Sequence, residues 1–85
     1  MTSGFNKAIE ELVVKRFPFI IDYDIVVDWD MYGTSWIKVN YHLNPELINE
    51  ITSDDFDFMR ETTKSLFKMM NPGSEYRFDG VGFIS

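Results

Sequence analysis

The segment that most constrains the fold of this chain is residues 19–43, where apolar and polar side chains alternate. In its first half the odd positions are apolar: Phe19, Ile21, Tyr23, Ile25, Val27 and Trp29. From residue 22 onward, the even positions of this half hold four aspartates and one valine: Asp22, Asp24, Val26, Asp28 and Asp30. The second half repeats the pattern after Gly33, with Trp36, Lys38, Asn40 and His42 at the even positions. A period of two is typical of a half-buried strand, so the segment predicts a β-hairpin with one apolar face and one acidic face.

The loop of this hairpin follows from the rule that directly opposed side chains share a face. A two-residue loop would place Val27 opposite Lys38 and bury the lysine. A three-residue loop at residues 31–33 keeps the apolar faces together and puts Gly33 where a positive φ is usual. The predicted register pairs Tyr23 with Tyr41, Ile25 with Val39, Val27 with Ile37, Val26 with Lys38, Asp28 with Trp36 and Asp22 with His42.

Helical patterns flank the hairpin. Residues 3–16 predict a first helix, because Phe5, Ile9, Leu12 and Val13 recur at three- and four-residue spacing. Asn44-Pro45-Glu46 is a helix-start signature and predicts a short helical segment at residues 45–51. A second start signal at residues 52–55 predicts the main second helix, from residue 53 or 54 to about residue 70. Residues 75–84 predict a third strand, weakened by two glycines.

The order α-β-β-α-β predicts a single α+β domain over residues 1–85. We expect a two-layer sandwich, in which a three-stranded antiparallel sheet carries two helices on one face. A right-handed crossover past the first strand gives the strand order 2-1-3, which centres the most apolar strand. The alternative places the third strand beside the second and parallel to it.

The amino-acid composition excludes several classes of function for this chain. The chain of 85 residues has no cysteine, which excludes disulfides and thiolate metal sites. Its apolar runs are shorter than the roughly 20 residues that span a bilayer. The formal net charge of −6 disfavours binding to nucleic acid phosphates or an anionic membrane. These features predict a soluble, cytoplasmic protein, monomer or homodimer, whose partner is a basic protein.

The even face of the hairpin is the candidate binding site, because helices on the odd face would leave it open. Its candidate residues are Asp22, Asp24, Asp28, Asp30, Trp36, Lys38 and His42. An exposed tryptophan ringed by polar groups is typical of a contact hot spot. The leading hypothesis is therefore a small, acidic, non-enzymatic interaction or regulatory protein, in which Trp36 anchors a basic partner and the aspartates steer it. The alternative is an ordinary solvated strand face.

Three further hypotheses stay open. A row of aspartates can imitate a nucleic acid backbone, so the chain is alternatively a mimic that inhibits a DNA- or RNA-binding protein. A minor enzyme or metal-binding activity would centre on Asp22 and His42, but the Asp-x-Asp spacing is not that of a calcium loop. No metal site, cofactor or catalytic residue is therefore predicted. A structural homodimer is the last hypothesis, and facing rows of aspartate make its face-to-face form costly.

Overall fold

The computed structural model describes residues 3–85 and shows an α+β fold. Its elements are α1 (Ser3–Ile9), a π-helical turn (Glu10–Val14), β1 (Ile20–Trp29), β2 (Ser35–Leu43), a 3-10 helix (Pro45–Glu50), α2 (Ser53–Met70) and β3 (Tyr76–Ile84). The strands form one mixed sheet of order β1-β2-β3, in which β1 is antiparallel and β3 parallel to β2. The helices and strands follow one another as the sequence predicts.

The hairpin has the predicted register and the predicted loop. From Asp22 to Trp29, β1 pairs with β2 as expected, Val27 lying opposite Ile37 and Asp28 opposite Trp36. The N–H of Asp30 donates to the carbonyl of Thr34, and the N–H of Gly33 donates to the carbonyl of Asp30, each at 3.1 Å. Residues 31–33 therefore form the three-residue loop, and Gly33 has a φ of +79°.

Replacing Gly33 with alanine is expected to lower the free energy of unfolding by about 1–2 kcal/mol. The cost is conformational, because a Cβ at this position would have no atom within 4 Å to collide with. Gly33→Asn is the control, since asparagine tolerates the left-handed region better than alanine does. Urea denaturation followed by circular dichroism measures both variants. Equal losses in the two variants would contradict a conformational cause.

Three apolar side chains that the pattern places inward are instead exposed. Ile21 is the extra residue of a β-bulge, because Ile20 pairs with Leu43 and Asp22 with His42. The bulge buries Ile20 and leaves Ile21 in solvent. Leu12 lies in the π-helical turn, where the wider spiral rotates it out of the buried stripe, and Trp29 lies next to the hairpin loop, where its side chain stays exposed.

The predicted strand order 2-1-3 and the purely antiparallel sheet are wrong. β3 lies beside β2 and parallel to it, so β2 is the central strand. The prediction placed β1 at the centre because β1 is the most apolar strand. The strand with fully buried side chains is instead β2, whereas Ile25 and Val27 of β1 are half-buried. The glycines of β3 suit this neighbour: the side chains of Lys38 and Asn40 lie over Gly82, where a Cβ would come within 2.3 Å of the Asn40 Oδ1.

Both helices pack against the odd face of the sheet. Within residues 3–85, the core consists of twelve buried apolar residues: Phe5 and Ile9 of α1, Val13 of the π-helical turn, Phe19, Ile20 of β1, Ile37, Val39, Tyr41 and Leu43 of β2, and Met59, Leu66 and Phe67 of α2. The rings of Phe5 and Phe67 meet edge to face at 5.8 Å. A capping box between Thr52 and Asp55 starts α2 as the sequence predicts. The odd face is thus the buried one, and no helix of the described residues covers the even face.

Candidate functional site

The open face consists of the even-numbered side chains of β1 and β2. The hairpin register brings all the candidate residues onto it: Asp22, Asp24, Asp28, Asp30, Trp36, Lys38 and His42. The four aspartates and Lys38 are exposed, whereas Trp36 and His42 are half-buried. The face is therefore a surface and not a pocket, and its role in binding stays a prediction.

Asp24 joins two side chains of β2. The Nε2 of His42 lies 2.8 Å from the Oδ2 of Asp24, and the Nδ2 of Asn40 donates to the Oδ1 at 3.2 Å. The hydrogen bond with His42, followed by the one with Asn40, lowers the pKa of Asp24 below its ordinary value of 3.8. Asp24 is thus ionised at neutral pH, and because a carboxylate only accepts, the Nε2 of His42 carries the hydrogen.

Asp22 and Asp28 face the outer edge of β1 rather than the neighbouring strand. Their Oδ1 atoms accept the N–H groups of Tyr23 and Trp29, each at 2.8 Å. Hydrogen-bonded pairs alternate along an antiparallel ladder, and the N–H of Asp30 points to β2, so the odd residues of β1 direct their N–H groups outward. The two carboxylates thus occupy donors that another strand would need, a known protection of sheet edges.

Asp22 and His42 lie opposite each other in the register, as predicted. The carboxylate of Asp22 turns to its own strand edge, and the histidine contacts Asp24 instead. Opposite side chains need not touch when a diagonal neighbour reaches better. The hypothesis of a minor enzyme or metal-binding activity around Asp22 and His42 stays a prediction.

Asp30 organises the hairpin loop and fixes Trp36. Its Oδ1 accepts the N–H groups of Tyr32 and Thr34, each at 2.9 Å, and its Oδ2 accepts the indole Nε1–H of Trp36 at 3.1 Å. These bonds, that of Trp36 first, lower the pKa of Asp30 below 3.8, and the charge of Arg77 adds to the effect. A hydrogen bond therefore holds the indole ring at the hairpin loop.

The third strand adds residues that the sequence could not place. Arg77 lies beside Trp36 and Ile84 beside His42 in the parallel register. Lys38 lies opposite Val26 as expected, but its chain leans toward β3 and over Gly82 instead of toward Asp24 and Asp28. No local signal in the sequence indicates these contacts, because they depend on which strand β3 joins.

The sequence prediction did not include the hairpin loop among the candidate binding surfaces. The exposed fractions are 87% for Met31 and 86% for Tyr32, and that of the adjacent Trp29 is 64%. A signal was present, since tight loops usually carry small polar residues and glycine. Two large apolar side chains at consecutive loop positions are unusual enough to mark the site.

Residues 3–85 hold no group of three His, Cys, Asp or Glu side chains arranged to bind a metal ion. None of the helices in this part of the chain combines the length and the apolar character needed to cross a bilayer.

The fold and the open face define the class: a small α+β domain with a mixed three-stranded sheet, helices on one side and an exposed acidic face on the other. Comparisons with protein-family models, with curated proteins and with solved structures gave no match to this chain. We therefore infer its function from the chemistry of the open face and of the hairpin loop.

Proposed function

We propose that this chain is a non-enzymatic interaction protein of regulatory type, which binds a basic partner protein on the open face around Trp36. The observation that carries the proposal is that hydrogen bonds hold charged side chains of this face in place. Asp24 and Asp30 are held by side chains of β2 and are ionised at neutral pH. A partner would meet fixed carboxylates on both sides of a fixed indole.

Fixed groups favour binding because less side-chain entropy is lost when the complex forms. Trp36 supplies apolar area and stacks well against an arginine guanidinium. The aspartates raise the rate of encounter with a positive surface, and the net charge of −6 acts in the same direction. Because these charges are exposed, salt screens them within about 10 Å at 0.1 M. Binding is therefore expected to weaken as salt rises.

The test compares two variants of equal net charge. Asp24→Asn with Asp28→Asn removes two carboxylates from the open face, and Glu11→Gln with Glu61→Gln removes two exposed carboxylates from the helical side. A partner is isolated from lysate of the source organism with the wild-type chain and purified. We expect the first variant to bind it about tenfold more weakly, and the second to bind like wild type at 50 mM salt. Equal affinities of the two variants would contradict the proposal.

A second measurement locates the contact. The chain has two tryptophans, so its indole N–H groups give two resolved NMR signals. Titration with the purified partner should shift the Trp36 signal, and Trp36→Ala should weaken binding by at least about 30-fold. An unchanged Trp36 signal in the saturated complex would place the contact elsewhere. If the partner's own DNA or RNA displaces the chain competitively, the proposal narrows to a nucleic acid mimic.

A further inference from the structure

The hairpin loop carries the two most exposed of the large apolar side chains of residues 3–85, those of Met31 and Tyr32. Trp29 beside the loop is also exposed, at 64%. The sequence between Arg16 and Lys38 contains neither lysine nor arginine, whereas Asp28 precedes Trp29 and Asp30 lies between Trp29 and Met31.

Hydrogen bonds close the backbone of the loop. The N–H of Asp30 donates to Thr34, the N–H of Gly33 donates to Asp30, and the carboxylate of Asp30 accepts the N–H groups of Tyr32 and Thr34. The indole Nε1–H of Trp36 donates to the same carboxylate. None of these bonds uses the side chain of Met31 or Tyr32, so both are presented to solvent on a fixed support. Such presentation lowers the entropy cost of binding.

We propose that the hairpin loop inserts Met31 and Tyr32 into a concave apolar pocket of the same partner protein, whose rim carries lysine or arginine groups that meet Asp30. This inference rests on the proposed function, since it assumes that the chain acts by docking. Tyrosine is enriched among the residues that dominate binding energy, and methionine adapts to irregular pockets. A narrow convex loop matches a pocket better than a flat surface.

Charge favours this occupant over the two alternatives. Aromatic residues also anchor proteins at membrane surfaces, but two carboxylates at the same end and a net charge of −6 oppose an anionic bilayer. A second copy of the chain carries the same net charge. Among the described residues, one groove that could receive a loop is lined by Asp24 and another by Glu50. A third groove, at Phe78 and Val81, carries Arg60 and Lys64 beside Glu61 and Asp79, so the net charge of a second copy, and not the lining of this groove, disfavours self-association.

The experiment is site-specific photo-cross-linking of the full chain. A benzoylphenylalanine at position 32 probes the loop, and the same group at position 69 is the matched control, because Met69 is 72% exposed on α2. Both probes are irradiated in lysate of the source organism, and the cross-linked peptides are mapped by mass spectrometry. We expect position 32 to label a partner within an apolar pocket that has lysine or arginine at its rim, and position 69 to leave that pocket unlabelled.

Competition with excess unlabelled protein separates this inference from the proposed function. Wild type should abolish the labelling, whereas Met31→Ser with Tyr32→Ser should compete at least about tenfold less well. If that variant competes fully while Asp24→Asn with Asp28→Asn does not, the loop inference fails and the open-face proposal stands. If instead Asp24→Asn with Asp28→Asn competes fully while Met31→Ser with Tyr32→Ser does not, the loop inference stands and the open-face proposal fails. Loss of competition by both variants supports both.

The remaining outcomes overturn the loop inference. They are labelling at position 32 that does not exceed the control, labelling of a second copy of the chain, and cross-links to lipid in vesicles of phosphatidylcholine with phosphatidylglycerol.

Discussion

Replacing Ile37 with alanine is expected to lower the free energy of unfolding by about 3–5 kcal/mol. Ile37 is fully buried in the central strand, and its side chain belongs to the core formed with both helices. Removing three carbons there costs the transfer free energy and leaves a cavity that neighbours on both sides keep open. A chain of 85 residues has a total stability of about 4–13 kcal/mol, so this single change removes a large share of it.

Ile25→Ala is the matched control, because the same residue type lies on the same face of the neighbouring strand. Ile25 is half-buried at the edge of the sheet, so we expect a loss of about 1–2 kcal/mol. Urea denaturation monitored by circular dichroism gives both values. A larger loss at Ile25 than at Ile37 would mean that β1, and not β2, is the central strand. A variant of Ile37 too unstable to fold at 25 °C would still agree with the prediction if the Ile25 variant folds.

The sequence predicted the local structure of this chain well, because the signals lie within a few residues of one another. Alternation and a glycine that requires positive φ were enough to set the register of the hairpin. Asn44 and Thr52 both cap helices where the chain chemistry indicates. Local signals of this kind do not depend on the rest of the fold.

The strand order was not predictable in the same way, because it depends on which neighbour a glycine-containing strand fits. The two orders differ in which strand lies next to β3, and apolar content pointed to β1. At Gly82 of β3, the side chains of Lys38 and Asn40 on β2 occupy the space that a Cβ would need, so a glycine suits this neighbour. The sequence contains these residues, but their meeting is visible only in three dimensions.

The candidate site also combines a part that the sequence predicted with a part that it did not. The register brought the acidic side chains and Trp36 to one face, as predicted. The register does not fix which way a side chain turns: Asp22 turned to the strand edge, and Asp24 took the contact with His42. A period-two pattern assigns a side chain to a face, but it does not say which neighbour on that face the side chain contacts.

Tyr41 and Thr63 form the polar contact of the core, and it makes the stability of the protein sensitive to alkali. Their hydroxyl oxygens lie 2.6 Å apart, and both residues are fully buried. Burial raises the pKa of Tyr41 from 10.0 to about 12. The folded state therefore holds the phenol proton more tightly than the unfolded chain does. Stability is fully present below pH 10 and is lost as the pH rises to about 12.

Raising the pH from 9 to 12 is thus expected to lower the free energy of unfolding by about 2–3 kcal/mol through Tyr41. Tyr41→Phe removes this part of the pH dependence, whatever it costs at neutral pH. Tyr23, whose pKa burial and Glu10 also raise to about 12, contributes in the same direction in both proteins. Groups that titrate in both proteins cancel in the difference between their curves. Urea denaturation at half-unit pH steps provides those curves, and parallel curves for wild type and Tyr41→Phe would show that burial of this phenol does not control its ionisation.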